Sequence, residues 1–538
     1  MHTDQFDFIV VGSGSAGGIV AMRLSEGGRF KVLCLEAGEP DAGYIWTRPP
    51  AGTVFLIDNP KVNWRYHAEP HESTGGRPIY VPRGKMLGGT SSINGVVYNR
   101  GQRIDYDTWA QQGNRGWSYD EILPVLRRLE STTLGEDRYR GRSGPIGVNE
   151  AEKLSPFYDL FIRSANAIGI PSNPDYSGAS QEGVAMAQQT VRRGLRESTA
   201  TGYLAQARRW TNLTIRSGAE ASSLLFEGKR CIGVRYQRGG QTHEARASRE
   251  VIVACGASNT PKLLELSGIG NPEILAAHGI ETFHCLPGVG ENLRDHFAGI
   301  LKWRFNRPGI SIARLGRGWR LVREILRFAL FRRGFIAHGI GTMRVFAKSR
   351  PELGEPDLMM VVAPYLIEMK AGKSRKMSPV EGFFMYSHVQ RTESTGSIHI
   401  RSANPADPPK IEFRFLQTEN DRRVAIEAIR MARRIVEAQP IADTIAEELQ
   451  PGPSVQTDEQ ILDFIRNTGQ ITHHMVGTCR MGQDDMAVVD ERLRVRGLEG
   501  LRIADASVIP TMPSGNTSVP CMLVGEKCAD MVLEDVGT

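Results

Sequence analysis

A chain of 538 residues exceeds what one hydrophobic core encloses, so two or more structural units are expected. Hydrophobic residues at 40% and charged residues at 23% are ordinary for a globular protein, and no apolar run reaches the length of a membrane span. The formal charge of +6 is mild and local. Arg314, Arg317, Arg320, Arg323, Arg327, Arg332 and Arg333 stand together against one acid, Glu324, which leaves the remainder near neutral and excludes the broadly basic surface of a nucleic-acid binder.

The N-terminus enters a strand at once, without the basic and long apolar regions of an export signal, so a cytoplasmic location is expected. Residues 6–12, "FDFIVVG", are a β-branched and aromatic run suited to a buried parallel strand. Gly12-Ser13-Gly14-Ser15-Ala16-Gly17 then fits G-x-G-x-x-G, and the spacing of Ile19, Val20, Met22 and Leu24 predicts a helix. Gly12 permits the tight turn, Gly14 lets main-chain N–H groups approach a pyrophosphate, and Gly17 lets the helix pack on the strand. A second strand, "KVLCLEAG", ends at Glu36, roughly 20 residues beyond the last glycine, where an acid accepts hydrogen bonds from a ribose. Glutamate there repels a 2′-phosphate, which disfavours NADP; the motif alone leaves NAD and FAD open.

"RGKMLGGTSSIN", Arg83 to Asn94, joins a Gly-Gly pair to small hydroxylic residues, backbone that can lie against a flat ring or a phosphate. "GASNTPKLLELSGIG", Gly256 to Gly270, follows the strand "EVIVACG" and carries Pro261 early in its helix, where proline is tolerated. Between Ile312 and Arg333, Trp319, Val322, Ile325, Leu326, Ala329 and Leu330 recur at helical spacing. The expected arrangement is a helix with its apolar row packed inward and its arginines solvated, or an oligomer contact. The alternative is attachment to an anionic membrane surface, near quinones.

"ITHHMVGTCRMG", Ile471 to Gly482, sets two histidines before Gly-Thr-Cys. Adjacent histidines diverge in most backbones, and no acid or cysteine stands at a ligand spacing, so no metal is expected. The seven cysteines, at 34, 231, 255, 285, 479, 521 and 528, are odd in number and scattered without a CxxC pair, so reduced thiols are expected. That weakens a reactive-thiol reading of Cys479. "LRIADASVIPTMPSGNTSVP" then supplies a strand, Asp505 at its end and Asn516 in a turn, followed by a final amphipathic helix.

These stretches, in this order over essentially the whole chain, resemble the glucose–methanol–choline oxidoreductases, which are flavin-dependent. "PRGKMLGGTSSINGVVYNRG" and "PGVGENLRDH" are similar to the choline-dehydrogenase-like and bacterial alcohol-dehydrogenase branch. The resemblance implies an α/β fold. A Rossmann-like FAD-binding domain would comprise residues 1–155, 215–300 and 465–538. A substrate domain, 156–214 and 301–464, would be built on an antiparallel sheet flanked by helices, to which "EGFFMYSHVQ" and "GSIHIRSA" would contribute.

By the same resemblance Gly12, Ser13, Gly14, Gly17 and Glu36, with Ser15, Ala16 and Ala37 beside them, hold the ADP half of FAD. Arg83, Gly89, Thr90, Ser92, Asn94 and Gly95 lie along the pyrophosphate and isoalloxazine, and Asp505, Ala506, Asn516 and Thr517 by the ribityl chain and ring. Ile93 stands where some relatives carry a histidine bonded to the flavin, so non-covalent FAD is implied.

The family motif selects His474 as the base and Asn516 as its partner. Met475 replaces a usual proline, which loosens the local backbone. A neutral imidazole suits removal of a hydroxyl proton, and a non-titrating amide suits orientation of the alcohol oxygen, while hydride passes to the flavin. His473 is expected on the opposite face of its strand.

The implied reaction is oxidation of a primary aliphatic or aromatic alcohol to the aldehyde, with a quinone or oxygen as acceptor. Choline, for which Glu368 and Tyr365 are conceivable cage members, and a flavin-carrying lyase are the alternatives. Residues 305–390 are expected to line an apolar pocket.

Overall fold

The computed structural model describes residues 4–40, 43–368 and 376–537. A seven-stranded sheet runs in the order Leu213–Arg216, Val32–Leu35, Asp4–Val11, Gln241–Val253, Arg230–Arg238, Glu220–Glu227, with Leu501–Ile503 pairing beside Gln241–Val253. Its core pairs are parallel, with Asp4–Val11 between Val32–Leu35 and Gln241–Val253. Phe8, Ile9 and Val10 are fully buried, as a strand covered on both faces requires. The helix Gly17–Ser25 packs between this sheet and the C-terminal helix Ser518–Asp535.

A second seven-stranded sheet is antiparallel along its path: Ile445–Gln450, Phe297–Phe305, Gly382–Val389, Leu358–Ala363, Met343–Ala347, Gly183–Met186, with Gln470–Ile471 pairing to Phe297–Phe305. Side chains alternate across it. Leu301, Trp303, Val345, Met360, Val362, Phe383 and Met385 belong to a buried cluster with Val424, Ala428 and Ile429 of the helix Glu419–Glu437. Ile300, Lys302, Arg344, Val361, Phe384 and Tyr386 face the other way, into the central cavity. Of the two runs expected in this sheet, "EGFFMYSHVQ" supplies Gly382–Val389. "GSIHIRSA" instead supplies Ser397–His399, which pairs only with Lys410–Glu412 in a separate two-stranded sheet.

The arginine-rich segment forms the helix Gly318–Phe331, but its orientation departs from the expectation. The residues it buries are Glu324 and Phe328, while Trp319, Leu330 and Phe331 are 67%, 72% and 68% exposed. Glu324 is buried with Arg323 and Arg327 at 3.7 and 3.8 Å from its carboxylate, and the apolar row faces outward.

Candidate active site

A cavity of about 840 Å³ lies between the two sheets. Gly12, Gly14, Ser15, Ala16, Glu36, Ala37, Arg83, Gly89, Thr90, Asn94, Gly95, Asp505, Ala506, Asn516, Thr517 and His474 all line it. Three of the residues expected to touch a cofactor, Ser13, Gly17 and Ser92, are not part of the cavity lining. Ser13 turns away, its N–H and Oγ donating to Glu36 Oε2 at 3.1 and 2.5 Å. Ser92 Oγ donates to the Leu87 carbonyl at 2.8 Å. Gly17 serves packing: a Cβ there would strike the Gly12 carbonyl and Ala254. These residues shape the cradle from behind.

The cradle fits a flavin dinucleotide. Gly14, Gly95 and Gly256 open onto free space where a Cβ would stand. Gly12 has φ of +102°, in the left-handed region that glycine alone enters without strain. The helix Gly17–Ser25 starts after Ala16 with no side-chain cap and no acid in its first turn, so neither a competing cap nor a like charge opposes a pyrophosphate at its N-terminus. Glu36 stands at the end of its strand, drawn into place by Ser13 and by the Gly38 N–H at 2.8 Å. Asp505 accepts from the Gly256 N–H at 2.9 Å and Thr260 Oγ1 at 2.5 Å, tying two strand ends together beneath the cradle. Arg83 points its guanidinium at main chain, Nη2 donating to the His473 carbonyl at 2.6 Å. Arg196, which sequence reasoning passed over, is buried and donates to Asn94 Oδ1 at 2.7 Å, fixing the 91–94 loop.

At the other end stands His474. Its Nε2 lies 2.8 Å from Asn516 Nδ2, and its Nδ1 lies 2.9 Å from His296 Nδ1 and 2.7 Å from Thr472 Oγ1. His296 Nε2 is 2.6 Å from the Gln390 carbonyl, which can only accept. That contact assigns the proton of His296 to Nε2 and leaves its Nδ1 to accept from His474 Nδ1–H. His474 Nε2 then carries the lone pair, which accepts from the Asn516 amide at 2.8 Å. The His474 N–H donates to Asp295 Oδ1 at 2.9 Å, so a carboxylate fixes the backbone that Met475 leaves less restricted.

Burial, followed by His296, His388, His473 and Arg83, holds His474 well below the usual histidine range. Burial likewise lowers His296, and brings His388, 4.5 Å from it ring to ring, to about 4. Burial pushes the Asp295 carboxyl up to about 7, against the N–H of His474 and the charge of Arg83.

His473 is not on a strand face. The strand ends at Ile471, His473 has φ of +68°, and the residue lines the cavity beside His474. Cys479 is buried and burial raises its thiol, which opposes a thiolate role. The relay residues Asp295 and His296 lay in view in "ENLRDH" but carry no local signal of their task. His388 and Gln390 become visible only through strand register.

Comparison with known proteins agrees with this geometry. Residues 6–298 and 392–525 match the N- and C-terminal family models described as GMC oxidoreductase. The chain belongs to the GMC oxidoreductase family. It is 38% identical to the oxygen-dependent choline dehydrogenase of Brucella ovis, over 98% of this chain and 96% of that protein. Identity to the protein of the same name in Photobacterium profundum is 37%, over 98% and 93%. Among solved structures, pyridoxine 4-oxidase from Mesorbium loti superposes with a TM-score of 0.86 at 28% identity, covering 97% of this chain and 98% of that one. A formate oxidase superposes at 0.91 and 26%, covering 99% of both. The GMC protein is an FAD-dependent oxidoreductase with the α/β fold of that family.

Proposed function

We propose that this protein oxidises a primary aliphatic or aromatic alcohol to its aldehyde, with His474 as base and Asn516 as orienting partner. The observation that carries the reading is the relay Asn516–His474–His296–Gln390, which leaves His474 Nε2 unprotonated at the cavity wall, its lone pair shared with Asn516 until a substrate hydroxyl takes that place. His474 Nε2 takes the hydroxyl proton. The positive charge then on the imidazole is shared through Nδ1–H with His296 and directed at the Gln390 carbonyl. Asn516 Nδ2 steadies the alkoxide oxygen, a role that needs a dipole and no titration. Bound FAD supplies the two-electron acceptor for the hydride on the carbinol carbon. The cradle half and the antiparallel half are read as cofactor and substrate parts, with Gln470–Ile471 and the first residues of Phe297–Phe305 in the antiparallel half drawn from segments assigned by sequence to the FAD domain.

Anaerobic mixing with a panel of alcohols tests the proposal: a matching alcohol bleaches the flavin, and oxygen or a quinone analogue restores the colour. A flavin that stays oxidised with every alcohol, alongside cyanohydrin cleavage, would instead support the lyase. FAD is read as non-covalent, because Ile93, a hydrocarbon side chain on the cavity lining, stands by the family resemblance at the position where some relatives carry a histidine bonded to the flavin. Denaturation should release all flavin into the supernatant; colour on the precipitate refutes this.

A peripheral seat on anionic lipid is part of the same proposal. The exposed apolar row of Gly318–Phe331 is flanked by Arg320, Arg323, Arg332 and Arg333. A second exposed group, Ile45 with Trp46 tilted against Phe55 at 4.3 Å, adjoins it through contact of Pro50–Gly52 with Phe335–Ala337. Thr53, Ile57 and Ile340, next to these groups in the chain, line the cavity. Among the described residues no helix is long and apolar enough to cross a membrane.

A further inference from the structure

The antiparallel wall of the cavity carries charge that neither the histidine relay nor the flavin cradle uses. Strand register sets Arg344, Val361, Tyr386 and Ile300 in one row, and all four line the cavity. Arg344 is 1% exposed. Its Nη1 donates to the carbonyls of Gly341 at 3.1 Å and Met343 at 2.7 Å, and its Nε has no hydrogen-bond partner among the described residues.

Burial pushes the guanidinium down to about 10, opposed only by Tyr176, so no carboxylate among the described residues compensates it. On the same face Lys302, paired with Phe384, also lines the cavity. It is half-buried and lowered by burial alone, with no acid acting on it among the described residues. The acids that line the cavity, Glu36, Glu220 and Asp505, all stand in or directly after strands of the first sheet. The substrate half therefore holds cations without anions, an arrangement that is costly until an anion arrives.

We propose that this wall is an anion subsite and that the substrate is an alcohol bearing a carboxylate, held by the fork of Arg344 with Lys302 in support. The assignment rests on His474 being the base for that alcohol. A planar guanidinium meets a carboxylate edge with two parallel hydrogen bonds, which positions the ligand as well as attracting it. Phe384 and Tyr386, packed edge to face at 5.3 Å, supply an apolar surface between Arg344 and Lys302 for the body of such a molecule.

The same charges oppose a quaternary ammonium. The residues conceivable as a cation cage do not form one on the cavity wall. Glu368 is exposed and accepts from Ser378 Oγ at 3.0 Å, and Tyr365 packs edge-on against Phe384 in a buried cluster. In this respect the site points away from choline, the substrate in the names of the Brucella and Photobacterium relatives.

The flavin-loaded protein is titrated with benzoate and with benzamide, its neutral counterpart of like shape, and binding is read from the flavin absorbance. Benzoate should bind at least about tenfold more tightly, the worth of a charge-assisted pair. Arg344→Met should abolish that preference and Arg344→Lys should keep part of it. Turnover of 4-(hydroxymethyl)benzoate should exceed that of benzyl alcohol in kcat/KM, chiefly through KM, and Lys302→Met should narrow the gap.

Equal binding of benzoate and benzamide by the wild-type protein overturns the subsite, whether or not any variant folds. Equal bleaching by the two alcohols does the same, while leaving alcohol oxidation standing. Benzoate binding that depends on Arg344, with no alcohol able to bleach the flavin, supports the subsite and removes the role given to His474.

Discussion

Along the first sheet the cavity wall is main chain: Gly12, Gly14, Gly95 and Gly256 bring backbone to the surface, and side chains such as Ser13 and Ser92 brace it from behind. Along the second sheet the wall is side chain: Ile300, Lys302, Arg344, Val361, Phe384 and Tyr386 project from one face of a pleated surface whose other face is hydrophobic core. A wall of backbone recognises what every flavin dinucleotide shares, its phosphates and flat rings. A wall of side chains can be rewritten residue by residue without disturbing the sheet. On the proposed reading, cofactor identity and substrate identity are stored in different materials.

The largest effects should appear where the backbone wall is broken. Gly17→Val places a branched side chain against the Gly12 carbonyl and Ala254, inside close-packed structure, and should yield no folded flavoprotein by circular dichroism or flavin content. Gly14→Val, only three residues distant, meets open space and should fold normally while binding FAD at least about tenfold more weakly. If both variants fold and bind alike, the distinction between bracing and touching glycines fails.

That contrast also explains what could be read beforehand. The cradle is written locally, because a strand, three glycines, a helix and an acid follow one another within one stretch of chain. His474 and Asn516 were legible by resemblance to a family motif. Asp295, His296, His388 and Gln390 were not, since their meeting depends on how Phe297–Phe305 pairs with Gly382–Val389, residues far apart in sequence. The orientation of Gly318–Phe331 was misjudged for a related reason. Periodicity reports that a helix has two faces, and the burial of Glu324 and Phe328 decides which one faces water.

Next in size is the loss of the base. His474→Ala leaves the cradle intact and should retain FAD, while flavin reduction by a good alcohol falls by about 10²–10⁴-fold in anaerobic stopped flow. Nearly normal reduction would overturn the assignment.

Smaller effects belong to pH. Because burial and its cationic and histidine neighbours hold His474 low, the neutral base is the form present at and above the ordinary histidine range, and the acid limb of kcat/KM should lie below it. Asp295, raised to about 7, is protonated below that pH and ionised above it, so a second, shallow inflection near neutrality should report the carboxylate that holds the His474 N–H. Asp295→Asn keeps an oxygen for that N–H and cannot ionise. It should erase the inflection near neutrality with a loss of rate well below that of His474→Ala. Persistence of the inflection would assign it to another group.

The smallest effect on chemistry should come from the exposed helix Gly318–Phe331, none of whose residues lines the cavity. Trp319, Leu330 and Phe331 carry apolar surface into water, and the arginines around them favour an anionic headgroup layer. Wild-type protein should float with phosphatidylglycerol vesicles at low salt and detach as salt screens the arginines. Replacing Trp319 and Leu330 together by serine removes apolar burial and should weaken partitioning by about tenfold or more. Turnover of a short water-soluble alcohol should be unchanged, because the relay and cradle are untouched. Absence of flotation at low salt would remove the lipid seat. A loss of turnover equal to the loss of binding would show instead that this helix supports the side-chain wall, and the substrate half would then extend further toward the surface than the cavity lining implies.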